Sequence, residues 1–287
     1  MMMLAPVHAK TGWQADLQLR YRREGERTIA HDLHSGPLRV LQALYPEGSG
    51  VCHHVLVHPP GGIVGGDELR LRVEAGEGSQ ALLTTPGATR FYRSAGAWAQ
   101  QHTTLKLAAD ARLEWLPMET IAHSACLARN TIEVDIAPGA RLLGWDLLAL
   151  GLPAAQQPFE QGEFINRLQW PGVWLEQARI EASDKRLLQS PLGMAGRTCT
   201  GTLFLASGTA FSAKEIEALL DAAREAIAGQ LEVEVSAGVT ALDERLLVLR
   251  LLAQHTEQAM ALLRAVRARW RPMAMGLPAG EPRIWRQ

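Results

Sequence analysis

The feature that most constrains this chain is a two-residue alternation of apolar and charged side chains that fills most of its first 210 residues. Leu69, Leu71 and Val73 interleave with Glu68, Arg70, Arg72 and Glu74. The runs Thr131-Ile132-Glu133-Val134-Asp135-Ile136 and Leu231-Glu232-Val233-Glu234-Val235 follow the same design. Side chains two apart share one face of a strand, so each run reads as a strand with one apolar and one charged face. Between the runs stand turn marks: Pro59-Pro60-Gly61-Gly62, Gly65-Gly66, Pro86-Gly87, Pro138-Gly139 and Pro171-Gly172. The chain is therefore expected to be mainly β.

A weak internal repeat sharpens this. Leu105-Lys106-Leu107 followed by Ala111-Arg112-Leu113 matches Val134-Asp135-Ile136 followed by Ala140-Arg141-Leu142, and an earlier copy with a longer turn runs from Leu71 through Ala81-Leu82-Leu83. Strand–turn–strand units about thirty residues apart cannot bury their apolar faces singly and tend to stack. An ordinary meander with recurrent turn chemistry is the alternative. Helices are confined to the last third. Ser212-Ala213-Lys214-Glu215 is a capping box, and helical spacing follows it to Gly229. A second helix is predicted over 256–269, with cationic Arg264, Arg267 and Arg269 toward the negative end of its dipole. The residues from Pro272 to Gln287, with three prolines and two glycines, read as an extended tail. The expectation is one α+β domain over 1–287: β-helix-like stacked strands over 13–210, two C-terminal helices near 213–228 and 256–269, and the tail.

Composition excludes several functions. The formal net charge of −1 provides no field for nucleic acid or anionic lipid. Of 29 basic side chains only four are Lys, an excess of Arg that suits protein interfaces and equally suits a GC-rich genome. Cys52, Cys126 and Cys199 are odd in number and widely spaced, unlike a disulfide framework or a thiolate zinc site. The first 13 residues lack the apolar core of a signal peptide, and the longest apolar run, Leu142–Leu152, is too short to span a bilayer. A cytoplasmic protein is expected.

Four segments could carry chemistry. In Cys52-His53-His54…His58, strand geometry puts Cys52, His54 and His58 on one face and His53 on the other. Neighbours two apart, roughly 6.6 Å, can share a metal ion, whereas His54 and His58, roughly 13 Å apart, hardly can. The glycine-rich run from His58 to Asp67 precedes a strand and lacks a Gly-Lys-Ser/Thr, so it reads as close-packed turns rather than a phosphate cradle. Thr84–Ser94 interleaves aromatics with arginines and reads as a protein-binding or structural segment. In Leu113–Ile121, Glu114 and Glu119 with nearby His123 and Cys126 could hold a divalent ion in passing. No nucleophile elbow or zinc-protease signature is present, so no catalytic residues are assigned.

At these residues the chain resembles the UreD (UreH) family of urease accessory proteins. The resemblance is carried by Leu56 through Asp67, Thr84–Ser94 and Leu113–Ile121. It extends through Gly36-Pro37-Leu38, Gly144-Trp145-Asp146…Gly151, Leu175-Glu176 and Pro282-Arg283-Ile284-Trp285. Met118 stands where the pattern usually has Gln, Gln177 where it usually has Arg, and Arg90 where Lys is common.

The resemblance implies a non-enzymatic scaffold that binds apo-urease and the helical protein UreF, and through it the GTPase UreG, with a dimer within the accessory complex as one arrangement. It implies no tightly bound cofactor; Ni²⁺ would be in transit through an internal tunnel, and the family fold is β-helix-like with two helices. Asp67, Glu114, Glu119, Asp146 and Glu176 are the expected tunnel carboxylates, and Cys52, His54, His58 and His123 the candidate transient ligands. Pro60, Gly61, Gly62, Gly65, Gly66, Arg90, Tyr92, Arg93, Trp115 and Trp285 are the motif residues with structural or interface roles. A stand-alone metal-binding β protein and a small-molecule enzyme on a β-solenoid are the competing classes.

Overall fold

The structure, a computed structural model, describes residues 12–229 and 235–286. Of the alternating run 231–235, residues 231–234 lie outside the described residues, and Val235 opens the strand Val235–Asp243.

The alternating runs form two facing sheets. One has seven strands in the order Trp174–Glu181, Gly162–Trp170, Cys126–Ile136, Ala99–Leu107, Glu68–Ala75, Gln14–Glu24 and Arg27–Ser35. Its five central strands run parallel. The other, of eleven strands, is built on the parallel series Val51–Val57, Gln80–Thr84, Arg112–Leu116 and Arg141–Leu152. Cys199–Ser207, Leu246–Ala253 and Val235–Asp243 extend it antiparallel. The chain crosses from one sheet to the other at each coil, so the strands stack as a β-solenoid.

The repeat seen in the sequence is the stacking unit, with one correction. Val73, Leu105 and Val134 sit side by side in the first sheet, and Ala81, Leu113 and Leu142 in the second. The first copy therefore begins at Val73 rather than Leu71, and its turn is no longer than the others. Period-two alternation makes residues two apart look equivalent, which hides a shift of that size. In all three turns the fourth residue donates its N–H to the first residue's carbonyl: Ser79 to Gly76, Ala111 to Ala108, and Ala140 to Ala137. The third residue is left-handed each time, at Gly78 (φ +62°), Asp110 (φ +58°) and Gly139 (φ +76°). Glycine and, less readily, Asp tolerate that region.

The strand Arg141–Leu152 explains the long apolar run. Leu142, Leu148 and Leu150 face the core between the sheets, while Leu143, Trp145, Leu147 and Ala149 face a second core under the helices. A strand covered on both sides needs no polar face. After a short helix α1 (Lys185–Gln189) come the two expected helices, α2 (Ala213–Ala228) and α3 (Thr256–Trp270), packed over the outer face of the larger sheet. Ser212 and Glu215 form the capping box at the start of α2.

The C-terminal segment is not an extended tail. It opens with a π-helical turn, Arg271–Met275, and closes with a 3₁₀ turn, Arg283–Arg286. Buried charge holds it down. Glu114 accepts from Arg267 Nε and Arg271 Nε, each at 2.8 Å, with all three side chains at most 1% exposed. The other edge of the Arg271 guanidinium forks onto Glu47 at 2.6 and 2.7 Å, and Glu47 also meets His53 Nε2 at 2.7 Å. Burial alone would raise the Glu47 carboxyl, but hydrogen bonds from His53 and Arg271 hold it down at about 2. Arg267 also donates to the Gly280 carbonyl at 2.8 Å. Trp285 completes the strap, donating to Thr84 Oγ1 at 2.9 Å and lying against Trp145.

Removing one partner of a buried pair leaves an uncompensated charge, which typically costs about 3–5 kcal/mol. Glu114→Ala is therefore expected to lower the urea midpoint far more than Asp221→Ala, which breaks the exposed Arg224–Asp221 pair. Equal midpoints would show that the strap does not depend on Glu114.

Candidate functional site

A cavity of about 280 Å³ opens between the two sheets. Its rim is formed by the loops carrying His58-Pro59 with Gly61-Gly62 and Pro86-Gly87 with Arg90, and its wall by apolar side chains including Leu69, Leu71 and Trp115. The glycine-rich loop is shaped by close approach to the aromatic–arginine segment. A Cβ on Gly62 would lie 2.0 Å from the Tyr92 ring, and one on Gly65 would lie 2.3 Å from Ser94 Oγ. The Ile63 N–H donates to the Arg90 carbonyl at 2.7 Å and the Tyr92 N–H to the Ile63 carbonyl at 2.9 Å, so the two motif segments are one packed unit.

The polar floor follows from strand register. Gln101, Asn130 and Asn166 occupy one row across three parallel strands. Gln101 donates to Asn130 at 3.4 Å, and Asn130 to Asn166 at 3.1 Å. From the facing sheet Asp146 accepts from Asn130 at 3.2 Å and from Asn166 at 2.6 Å. Asp146, Thr202 and Arg250 form a second row, being cross-strand neighbours in the larger sheet.

Asp146 also lines a second, smaller cavity of about 50 Å³, together with Asn166, Glu176, Thr200 and Thr202. It is thus the wall the two cavities share. Glu176 reaches across from the seven-stranded sheet, accepting from Thr202 Oγ1 and from Arg250 Nε, each at 2.8 Å. Burial is the main cause that pushes the Asp146 carboxyl up to about 6; the Glu176 charge adds to it, and the Asn166 and Asn130 amides oppose it.

The other expected carboxylates lie elsewhere. Both oxygens of buried Asp67 accept backbone N–H groups, from Trp13 at 2.7 Å and Val64 at 2.9 Å, which closes the end of the glycine loop. Glu114 faces outward under α3 in the ion-pair network. Glu119 lines neither cavity, and its charge is felt by Cys199 on the helix side.

The histidines are dispersed. His54 Nδ1 meets the Tyr21 hydroxyl at 2.7 Å, and burial holds its pKa down at about 4. His58 stands at the cavity rim, and His123 stacks on Tyr92; each keeps a buried Nε2 without a hydrogen-bond partner. Burial pushes the thiols of Cys52, Cys126 and Cys199 up, the latter two to about 12 and about 11. Among the described residues no three His, Cys, Asp or Glu side chains converge to hold a metal ion.

Of the remaining motif residues, Pro60, Gly61 and Gly66 shape the loop turns, with Gly61 at φ +78° and Gly66 at φ +97°. Trp115 is buried in the cavity wall, and Arg90 and Arg93 are exposed beside the rim. Gln177, in place of the usual Arg, accepts from Arg167 at 3.1 Å. Sequence reasoning missed Asn130, Asn166, Thr202 and Arg250. The polar side chain of Asn130, in step with apolar Ala128 and Ile132 on one strand face, was the available signal.

The fold and site define a two-sheet β-solenoid with a polar seam between its sheets and C-terminal helices strapped over the larger one. The family model described as UreD urease accessory protein matches residues 14–286. A urease accessory protein UreD from Leptothrix cholodnii is 55% identical over 276 residues, covering 96% of this chain and 99% of the relative. The protein of the same name from Variovorax paradoxus is 53% identical over 273 residues, covering 95% and 99%. The chain belongs to the UreD family, and its function is that of a urease accessory protein. No helix among the described residues is long and apolar enough to cross a membrane.

The raised Asp146 carboxyl gives a pH signature. Its ordinary value is 3.8 and its folded value about 6, so the folded protein keeps this proton after the unfolded chain has lost it. Stability linked to Asp146 is complete below the lower value and declines as pH rises through the higher one, by roughly 3 kcal/mol. Urea unfolding of Asp146→Asn and the parent should therefore diverge in the variant's favour between about pH 4 and pH 7. Parallel stability–pH profiles would rule out a buried, strained carboxylate.

Proposed function

We propose that this chain is the cytoplasmic scaffold of urease maturation that binds apo-urease and UreF, engages UreG through UreF, and passes Ni²⁺ through the space between its two sheets. The reading is supported above all by one observation: two inter-sheet cavities meet at a single buried carboxylate, Asp146, and the second ends at Glu176. Ni²⁺ is cargo here, so its path must offer enough oxygen ligands to replace water but too few to hold the ion. A lone carboxylate flanked by amides, then a second carboxylate beside a hydroxyl, meets that demand. The three buried, high-pKa thiols keep soft thiolate traps off the path. Of the five candidate carboxylates, Asp146 and Glu176 belong to the conduit, Asp67 and Glu114 hold the fold together, and Glu119 lines neither cavity.

Co-expression with urease tests this. Urease made without the chain should contain little nickel and show little activity. Asp146→Ala and Glu176→Ala chains should still co-purify with UreF and apo-urease, yet leave urease nickel content several-fold below the parent level. Full nickel loading by both variants would reject the conduit; loss of UreF binding would make these residues structural.

A further inference from the structure

The smaller cavity has an unusual end. Asp146, Thr202 and Arg250 form one cross-strand row, and the row finishes at Gly238 on the edge strand. Glu176, from the opposite sheet, closes onto that row through Thr202 and Arg250. The Arg250–Glu176 pair thus bridges the sheets beside the cavity and is open to solvent: the Arg250 side chain is 49% exposed and the Glu176 side chain 23%. Without the guanidinium, two carboxylates, an amide and two hydroxyl groups would surround a void of about 50 Å³, a composition that retains hard divalent cations. A Cβ built on Gly238 meets nothing within 4 Å, so open space lies beside Arg250 on its own face of the sheet.

We propose that Arg250 is a built-in counter-ion and gate for the conduit. It holds the position on Glu176 that an arriving divalent cation would take, yields it by swinging into the space over Gly238, and returns as the cation leaves. The guanidinium and the cation exchange on one carboxylate, so the ion is handed on rather than stored. A guanidinium suits this task because its charge is permanent and its two-nitrogen grip on one carboxylate is directional yet solvent-accessible. This role rests on the proposed passage of Ni²⁺ along Asp146 and Glu176.

The test is equilibrium and kinetic Ni²⁺ binding by the full chain. Arg250→Gln should bind Ni²⁺ about tenfold more tightly than the parent, whereas Arg250→Lys, which restores a cation, should return to the parent affinity. Adding Glu176→Gln to Arg250→Gln should abolish the gain. A gain that survives in the double variant, or no gain in Arg250→Gln, overturns the proposal. Gly238→Val fills the swing space without touching the ion pair. It should leave Ni²⁺ affinity within about twofold while slowing release to a chelator in stopped flow. This variant decides the matter if Arg250→Gln does not fold, and unchanged release rates would overturn the gate. The two layers fail separately. Full urease nickel loading by Asp146→Ala and Glu176→Ala removes the conduit itself. Reduced loading by those variants, with no effect of Arg250→Gln on affinity, removes only Arg250.

Discussion

Everything in this molecule depends on the constant register of its parallel coils. Because Val73–Ala81, Leu105–Leu113 and Val134–Leu142 are separated by turns of one length, each coil lands in step on the last. Apolar residues then form continuous rows, and the core between the sheets fills by addition of coils rather than by one global collapse. The same register acts on polar residues. A Gln or Asn at one position becomes a ladder when the next coils carry an amide there, as at Gln101, Asn130 and Asn166. The polar seam is therefore not an interruption of the fold but a consequence of it. The buried carboxylate of Asp146 is tolerable beside this seam because each of its oxygens finds an amide donor.

Much of this architecture was legible in the sequence. Period-two runs, turn residues and the thirty-residue repeat gave the stacked strands, and a capping box placed α2 from Ala213. What the sequence concealed were facts of register and face. The first repeat copy was displaced by two residues because strand alternation is blind to such a shift. The tail was misread because proline and glycine content signals irregular backbone but not what pins it. Glu47, Glu114, Arg267 and Arg271 are scattered over 225 residues and meet only in the fold. Asp146 and Glu176 were nominated through family motifs, whereas their partners Asn130, Asn166, Thr202 and Arg250 sit in strands whose pairing no local pattern reveals.

Charge is used in two contrasting ways. Under α3, Glu114 is fully enclosed and engages two guanidinium groups, an arrangement that fixes the helix and strap in one geometry. At the sheet edge, Glu176 is only partly enclosed and engages a half-exposed Arg250, an arrangement that can be exchanged. Burial separates the rigid network from the labile pair.

The most direct test of the conduit closes the path by size alone. Thr103 lies buried in the wall of the larger cavity with an unpartnered hydroxyl, so Thr103→Phe fills space without changing charge. The measurement is nickel per active site in urease co-expressed with this variant, alongside recovery of the complex with UreF. If the space between the sheets is the route, the complex assembles and nickel falls to the level found without the chain. Full nickel loading through an assembled Thr103→Phe complex would contradict the account.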